Sequence, residues 1–167
     1  MTGNMETIAM QEIHLKPSPM QFCVKELHLM FLCVTALIVW MTMEAGFLRW
    51  CILFIFLAVL AFLLCEAVHL GRIKYVLTAE QLIYQHGVFN AKKDFLELYR
   101  IIDYRETRTF MQQLAGLKNI IIYSMDRNTP ELNIIGVMKN ADVIGIIRRR
   151  VEYNKQAKGI HEITNRI

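Results

Sequence analysis

The chain has 167 residues, 54% of them hydrophobic and only 20% charged, with a formal net charge of +4 and a mean hydropathy of +0.31. Eight Gly and three Pro among so many apolar residues exclude a disordered or collagen-like chain, and the length leaves room for one compact domain beside a membrane part. The apolar excess is uneven: from Leu27 to Leu70 the only charged side chains are Glu44, Arg49 and Glu66, a density expected of lipid-facing segments.

Residues 1–26 are mixed and polar, with prolines at 17 and 19, and are expected to form a flexible or partly interfacial tail. They lack the basic start of a cleaved signal peptide, so none is expected. The first apolar run, Leu27 to Met43, contains no Asp, Glu, Lys or Arg; as a helix it spans roughly 25 Å at about 1.5 Å per residue. The second, Trp50 to Cys65, is equally free of charge and continues past Glu66 to Leu70. Both runs are apolar on every face, whereas a helix at the surface of a soluble bundle keeps a polar stripe. Glu44 to Arg49 with Gly46 between them forms a short turn, so residues 27–70 are predicted to be a helical hairpin.

Trp40, Arg49 and Trp50 fall near the turn, and Arg72 and Lys74 just beyond the second run; these five are the candidate membrane-interface residues. Trp40 can alternatively pack between the helices. Lys16, Lys25, Arg72 and Lys74 at the outer ends outnumber Arg49 in the turn, which predicts a multi-pass protein with both termini in the cytoplasm. Glu66 and His69 stand three apart on one helix face. They are either a proton or metal site or an interfacial pair bonded within the hairpin. Cys23, Cys33, Cys51 and Cys65 form no CxxC and read as small apolar filler, with neither zinc nor disulfides expected.

From Arg72 onward, 16 basic against 10 acidic residues give a charge of +6, the remainder of the chain carrying −2. Here short strand-like runs alternate with turn signals. Strands are predicted at Lys74–Leu77, Gln81–His86 (closed by Gly87), Lys92–Leu98 and Arg100–Thr109, the last with Ile101, Asp103 and Arg105 on one face and Ile102, Tyr104 and Glu106 on the other. A helical turn over Phe110–Leu114 precedes further strands at Lys118–Met125 and Glu131–Ile135, separated by an Asn- and Pro-containing loop. Val143, Ile144, Ile147 and Val151 then recur at helical spacing, with either Asn140 or Asp142 as the N-cap. Arg148, Arg149 and Arg150 point about 100° apart on such a helix and read as solvated positions. Residues 154–167 form a polar tail, with Ile160 and Ile163 as weak contact points.

Tyr75-Val76-Leu77-Thr78 with Gly87 ten positions beyond Leu77, Glu97 to Asp103, Leu114-Ala115-Gly116-Leu117 before Ile120-Ile121-Ile122, and Thr129-Pro130-x-Leu132 follow one another in order. Over about residues 28–153 the chain resembles the bacterial pleckstrin-homology-like (PH-like) domain of membrane proteins, typically preceded by two transmembrane helices. The resemblance implies an α+β protein of the bacterial inner membrane: a transmembrane hairpin over 27–70, then a PH-like β-barrel or pair of orthogonal sheets over 72–153 capped by a C-terminal helix. It implies no catalytic chemistry. Eukaryotic phosphoinositide-binding members of the superfold use basic residues in the loop between their first two strands, and Thr78-Ala79-Glu80-Gln81 here has none.

The sequence carries no GxSxG, P-loop, HExxH or GxGxxG, so no enzyme, cofactor, metal or small-molecule substrate is expected. Lys92, Lys93, Arg100, Arg105, Arg108 and Lys118 form the candidate face for anionic lipid or a partner; interleaved acids argue against nucleic acid. The leading expectation is a non-catalytic membrane protein whose cytoplasmic domain is an interaction or assembly module, with a protein partner or a homo-oligomer as the assembly. An anionic-lipid, envelope-stress or toxin self-protection module and a small transport protein using Glu66 and His69 are the alternatives.

Overall fold

A computed structural model describes residues 11–88 and 90–160. The expectations for residues 1–10 and 161–167, Ile163 included, lie outside the described residues. Strand β1 (Ile13–Leu15) leads into helix α1 (Met20–Thr42), a turn, and helix α2 (Phe47–Arg72). Strands β2 (Lys74–Leu77), β3 (Gln81–His86) and β4 (Lys92–Glu97) follow; a 3-10 turn (Leu98–Arg100) rounds the corner into β5 (Ile101–Thr107). Helix α3 (Phe110–Leu114), strands β6 (Leu117–Ser124) and β7 (Glu131–Met138) and helix α4 (Val143–Ala157) complete the described elements; α4 takes in residues 154–157 of the predicted C-terminal tail, because Asn154 is buried on its inner face.

The strands make two antiparallel sheets, ordered β1-β2-β3-β4 and β5-β6-β7. Among the described residues no ladder joins the sheets, so of the two predicted arrangements the closed barrel is not formed. Inward positions alternate along each strand and meet across it: Leu82 faces Leu96, and Ile120 and Ile122 face Ile134 and Leu132. With Tyr75, Leu77, Leu98 and Ile101 they form one core, and each such Leu or Ile contributes about 1.5–3 kcal/mol by leaving water. Val143, Ile147 and Val151 of α4 cover it, closing the open end where bare sheet would otherwise face water. Asp142, not Asn140, caps α4: its carboxylate accepts from the Gly145 amide at 3.0 Å.

Three differences from the predicted pattern have local causes. A bulge between Ile101 and Asp103 inserts one residue into β5, so Ile101 and Tyr104, predicted on opposite faces, both pack against the core. Strand β7 runs on past Ile135, because a second bulge places Gly136 at φ +64 and only glycine takes that angle without strain. The third concerns the expected N-terminal tail. Ile13–Leu15 pairs with Leu77–Tyr75 of β2, and helix already starts at Met20. The whole hairpin is thus an insertion between two paired neighbouring strands.

Candidate functional site

The joint between hairpin and sheets is held by strand pairing and by a buried side-chain network. Leu15 pairs with Tyr75, so the strands that flank the hairpin lie side by side. Only Ile73 separates α2 from β2, and it is 3% exposed. At the other leg, the Ser18 amide donates to the Gly136 carbonyl at 2.9 Å. Gln21, in the first turn of α1, lies over Gly136 so closely that an added Cβ would stand 2.7 Å from the Gln21 Cβ. Its side-chain carbonyl accepts from Gln112 Nε2 at 3.0 Å; the same amide reaches Asn119 Oδ1 at 2.9 Å, which also accepts from the Gly136 amide at 2.9 Å. Gln21 and Gln112 are buried, and a buried polar network satisfied on all sides fixes one geometry. Thr109 and Gln112 form a reciprocal capping box that sets α3 in place for this contact.

A second clamp holds the opposite margin of the first sheet. Arg150 is 4% exposed and donates to the carbonyls of Leu77 at 2.8 Å, Thr78 at 2.7 Å and Gln11 at 2.6 Å. Asn154 donates to Ala79 at 2.7 Å. The expectation of solvated arginines holds at Arg148 and Arg149, which are exposed, and fails at Arg150. The signal was available: Arg150 stands seven residues after Val143 and three after Ile147, on the apolar face of α4, with Asn154 one turn further. The clamp ties the β2–β3 loop to α4 through its backbone carbonyls.

The predicted interface residues fall at the two ends of the hairpin. Near the turn, the Arg49 guanidinium lies 5.0 Å from the centre of the Trp40 ring and Trp50 is 71% exposed. Arg72 and Lys74 are exposed at the domain end. There Lys25 Nζ lies 2.6 Å from Glu66 and 3.3 Å from Glu26. The partner of Glu66 is therefore Lys25 across the hairpin, and among the described residues no cluster suited to a metal occurs.

Of the six basic residues of the candidate face, Lys92 and Lys93 are neighbours on β4, and Arg108 and Lys118 meet at Glu106. Lys92 and Lys93 are exposed on β4, opposite His86 and Gln85. Arg105 and Lys118 lie on the second sheet, Arg108 just past the end of β5, and Arg100 at the corner bonds Glu97 at 2.9 Å. Lys118 is 7% exposed, lies 3.1 Å from Glu106, and shares it with Arg108. Burial by itself raises the Glu106 carboxyl, but hydrogen bonds from Arg108 and Lys118 with their charges outweigh it and hold it below the usual carboxylate range. Arg105 stacks 5.5 Å from the Tyr123 ring centre.

Between β5 and α4 runs an open groove of about 310 Å³, lined by Ile102, Tyr104, Arg148 and Glu152 among others. The Tyr104 hydroxyl is buried without a hydrogen-bond partner among the described residues. Burial pushes this phenol up to about 12, against the opposing pull of Arg148.

Four strands turning a corner into three, closed by one C-terminal helix, form the α+β architecture expected of a PH-like interaction domain. Residues 23–151 match the family described as bacterial PH domain, and the chain belongs to that family. No curated protein and no solved structure matches it. Members of this family are generally non-catalytic.

Proposed function

We propose that the chain is a non-catalytic protein of the bacterial cytoplasmic membrane, anchored by the hairpin with both termini in the cytoplasm, and that its PH-like domain is a membrane-proximal interaction or assembly module. The observation that carries this reading is the insertion of the hairpin between two strands paired with each other, which mounts the domain on its anchor with no flexible linker. Membrane crossing is supported by exposure. Only 6% of the most apolar stretch of each helix is buried, whereas a core helix of a soluble protein is mostly covered, and Phe31, Phe54 and Leu64 stand 72%, 76% and 60% exposed. Such an uncovered apolar surface supports contact with lipid. The charge bias of Lys16, Lys25, Arg72 and Lys74 against Arg49 supports the orientation.

The test is extraction and topology in a bacterial host. The protein stays in the membrane pellet at alkaline pH, a protease added outside spheroplasts leaves the domain intact, and crosslinking before gentle solubilisation yields a defined partner or oligomer. Release into the soluble fraction, or digestion of the domain from outside, refutes the proposal.

A second reading, binding of anionic headgroups, is favoured by Arg72, Lys74, Lys92 and Lys93, which are exposed and have no carboxylate partner among the described residues. Each basic residue near an anionic surface contributes about 1 kcal/mol. Binding of the purified full chain in nanodiscs to phosphatidylglycerol vesicles that rises at low salt supports it, and binding independent of salt rejects it.

A further inference from the structure

We propose that the domain makes a membrane contact of its own: α3 is a short amphipathic foot that sets Phe110, Met111 and Leu114 into the headgroup layer of the bilayer that α1 and α2 enter. The inference rests on the membrane reading above and adds a second, independent point of attachment.

The two sides of α3 differ sharply. Gln112 faces the body, 2% exposed and bonded to Gln21 and Asn119. Phe110, Met111 and Leu114, at i, i+1 and i+4, turn away from it and are 71%, 43% and 71% exposed. Their only polar escort in the helix is Gln113.

The occupant follows from position. The bond from Gln112 fixes α3 against the first turn of α1, the helix that leads into the apolar hairpin. Met20 in that same turn is 54% exposed. Met138, 65% exposed, lies two residues along β7 from Gly136, on the face that Gln21 covers. Exposed apolar side chains scattered singly are ordinary; here five lie on α3, the first turn of α1 and the end of β7, elements that meet at the base of one apolar hairpin. Gln21 stands six residues before Leu27, about 9 Å along the helix axis. The headgroup layer is roughly 5–8 Å deep on each side, and aromatic and aliphatic side chains bridge the difference. Outward Phe and Leu side chains at this level suit burial at the boundary between headgroups and acyl chains.

The experiment reads tryptophan quenching by lipids brominated high on the acyl chain, with the full chain in liposomes. In the unaltered protein Trp40 and Trp50 report whether the hairpin is in lipid. Phe110→Trp and Leu114→Trp, each made with Trp40→Phe and Trp50→Phe, report the foot. Met125→Trp in the same background is the control, because Met125 is 77% exposed beyond the far end of β6, roughly 25 Å of strand from α3. We expect blue-shifted emission and strong quenching at positions 110 and 114 and neither at 125. Quenched Trp40 and Trp50 with unquenched 110 and 114 overturns the foot alone. Equal quenching at 125 also overturns it, since the whole domain would then lie in the interface. Unquenched Trp40 and Trp50 overturns the membrane reading and the foot together.

Discussion

Replacing Arg150 by Met keeps the length and apolar stem of the side chain and removes its guanidinium. The bonds lost include those to Leu77, Thr78 and Gln11 at 2.8, 2.7 and 2.6 Å, each of a kind that contributes about 1.5–3 kcal/mol when the donor is charged. The simple total is too large for two reasons. Burial disfavours the charged guanidinium and holds its pKa below the ordinary arginine value, and methionine avoids that desolvation. The Thr78 carbonyl, on a half-buried residue, regains water once the arginine has gone. The expected net loss is about 2–4 kcal/mol, or a Tm lower by about 5–15 °C for a chain of this size. Arg149→Met, one residue away and exposed, is expected to change stability by no more than about 0.5 kcal/mol. The assay is thermal unfolding of the detergent-solubilised full chain, followed by near-ultraviolet circular dichroism. Equal stability of the two variants would refute the inference that Arg150 fastens α4 to the β2–β3 loop.

Two tyrosines of the core give opposite expectations. Tyr75 donates to the Asn133 carbonyl at 2.8 Å and accepts from the Ile135 amide at 3.3 Å, so Tyr75→Phe lowers stability by about 1–2 kcal/mol; Tyr104→Phe removes a buried hydroxyl with no partner among the described residues and leaves stability unchanged or raises it by up to about 1 kcal/mol. Denaturant melts of both variants check the contrast, and a loss at position 104 equal to that at 75 contradicts it. For Glu106, whose folded carboxyl is held below its unfolded value, the contribution is present above the unfolded value of about 4.3 and is lost as pH falls through the folded one. Glu106→Gln is therefore less stable than the unaltered chain at pH 7, by about 0.5–2 kcal/mol. The gap closes below about pH 4; a gap independent of pH, read from melts across this range, argues against the pair with Lys118.

Much of the fold was legible in one dimension and most of the candidate site was not, for identifiable reasons. The hairpin showed itself because uninterrupted apolarity over helix length is a local property. The alternation that makes Ile120, Ile122, Leu132 and Ile134 inward is local too. The short strand Ile13–Leu15 was missed because three residues carry no usable period; they become a strand only because β2 offers an edge. The joint of Gln21, Gln112, Asn119 and Gly136 unites residues up to 115 positions apart, and each looks like an ordinary surface residue in its own neighbourhood.

Charge shows the same division. Composition by itself settled that basic residues prevail after Arg72, but whether a given cation is available depends on what folds beside it. Lys118 and Arg108 are taken by Glu106, Arg150 by backbone carbonyls, and Lys92 and Lys93 stay exposed. Periodicity and hydropathy are sums over neighbours along the chain, and they determined the elements and the membrane expectation. Which strand receives both ends of the hairpin, and which arginine is buried, were decided only by the tertiary structure, because hydrogen bonds and desolvation act between groups that only the fold brings within 3 Å.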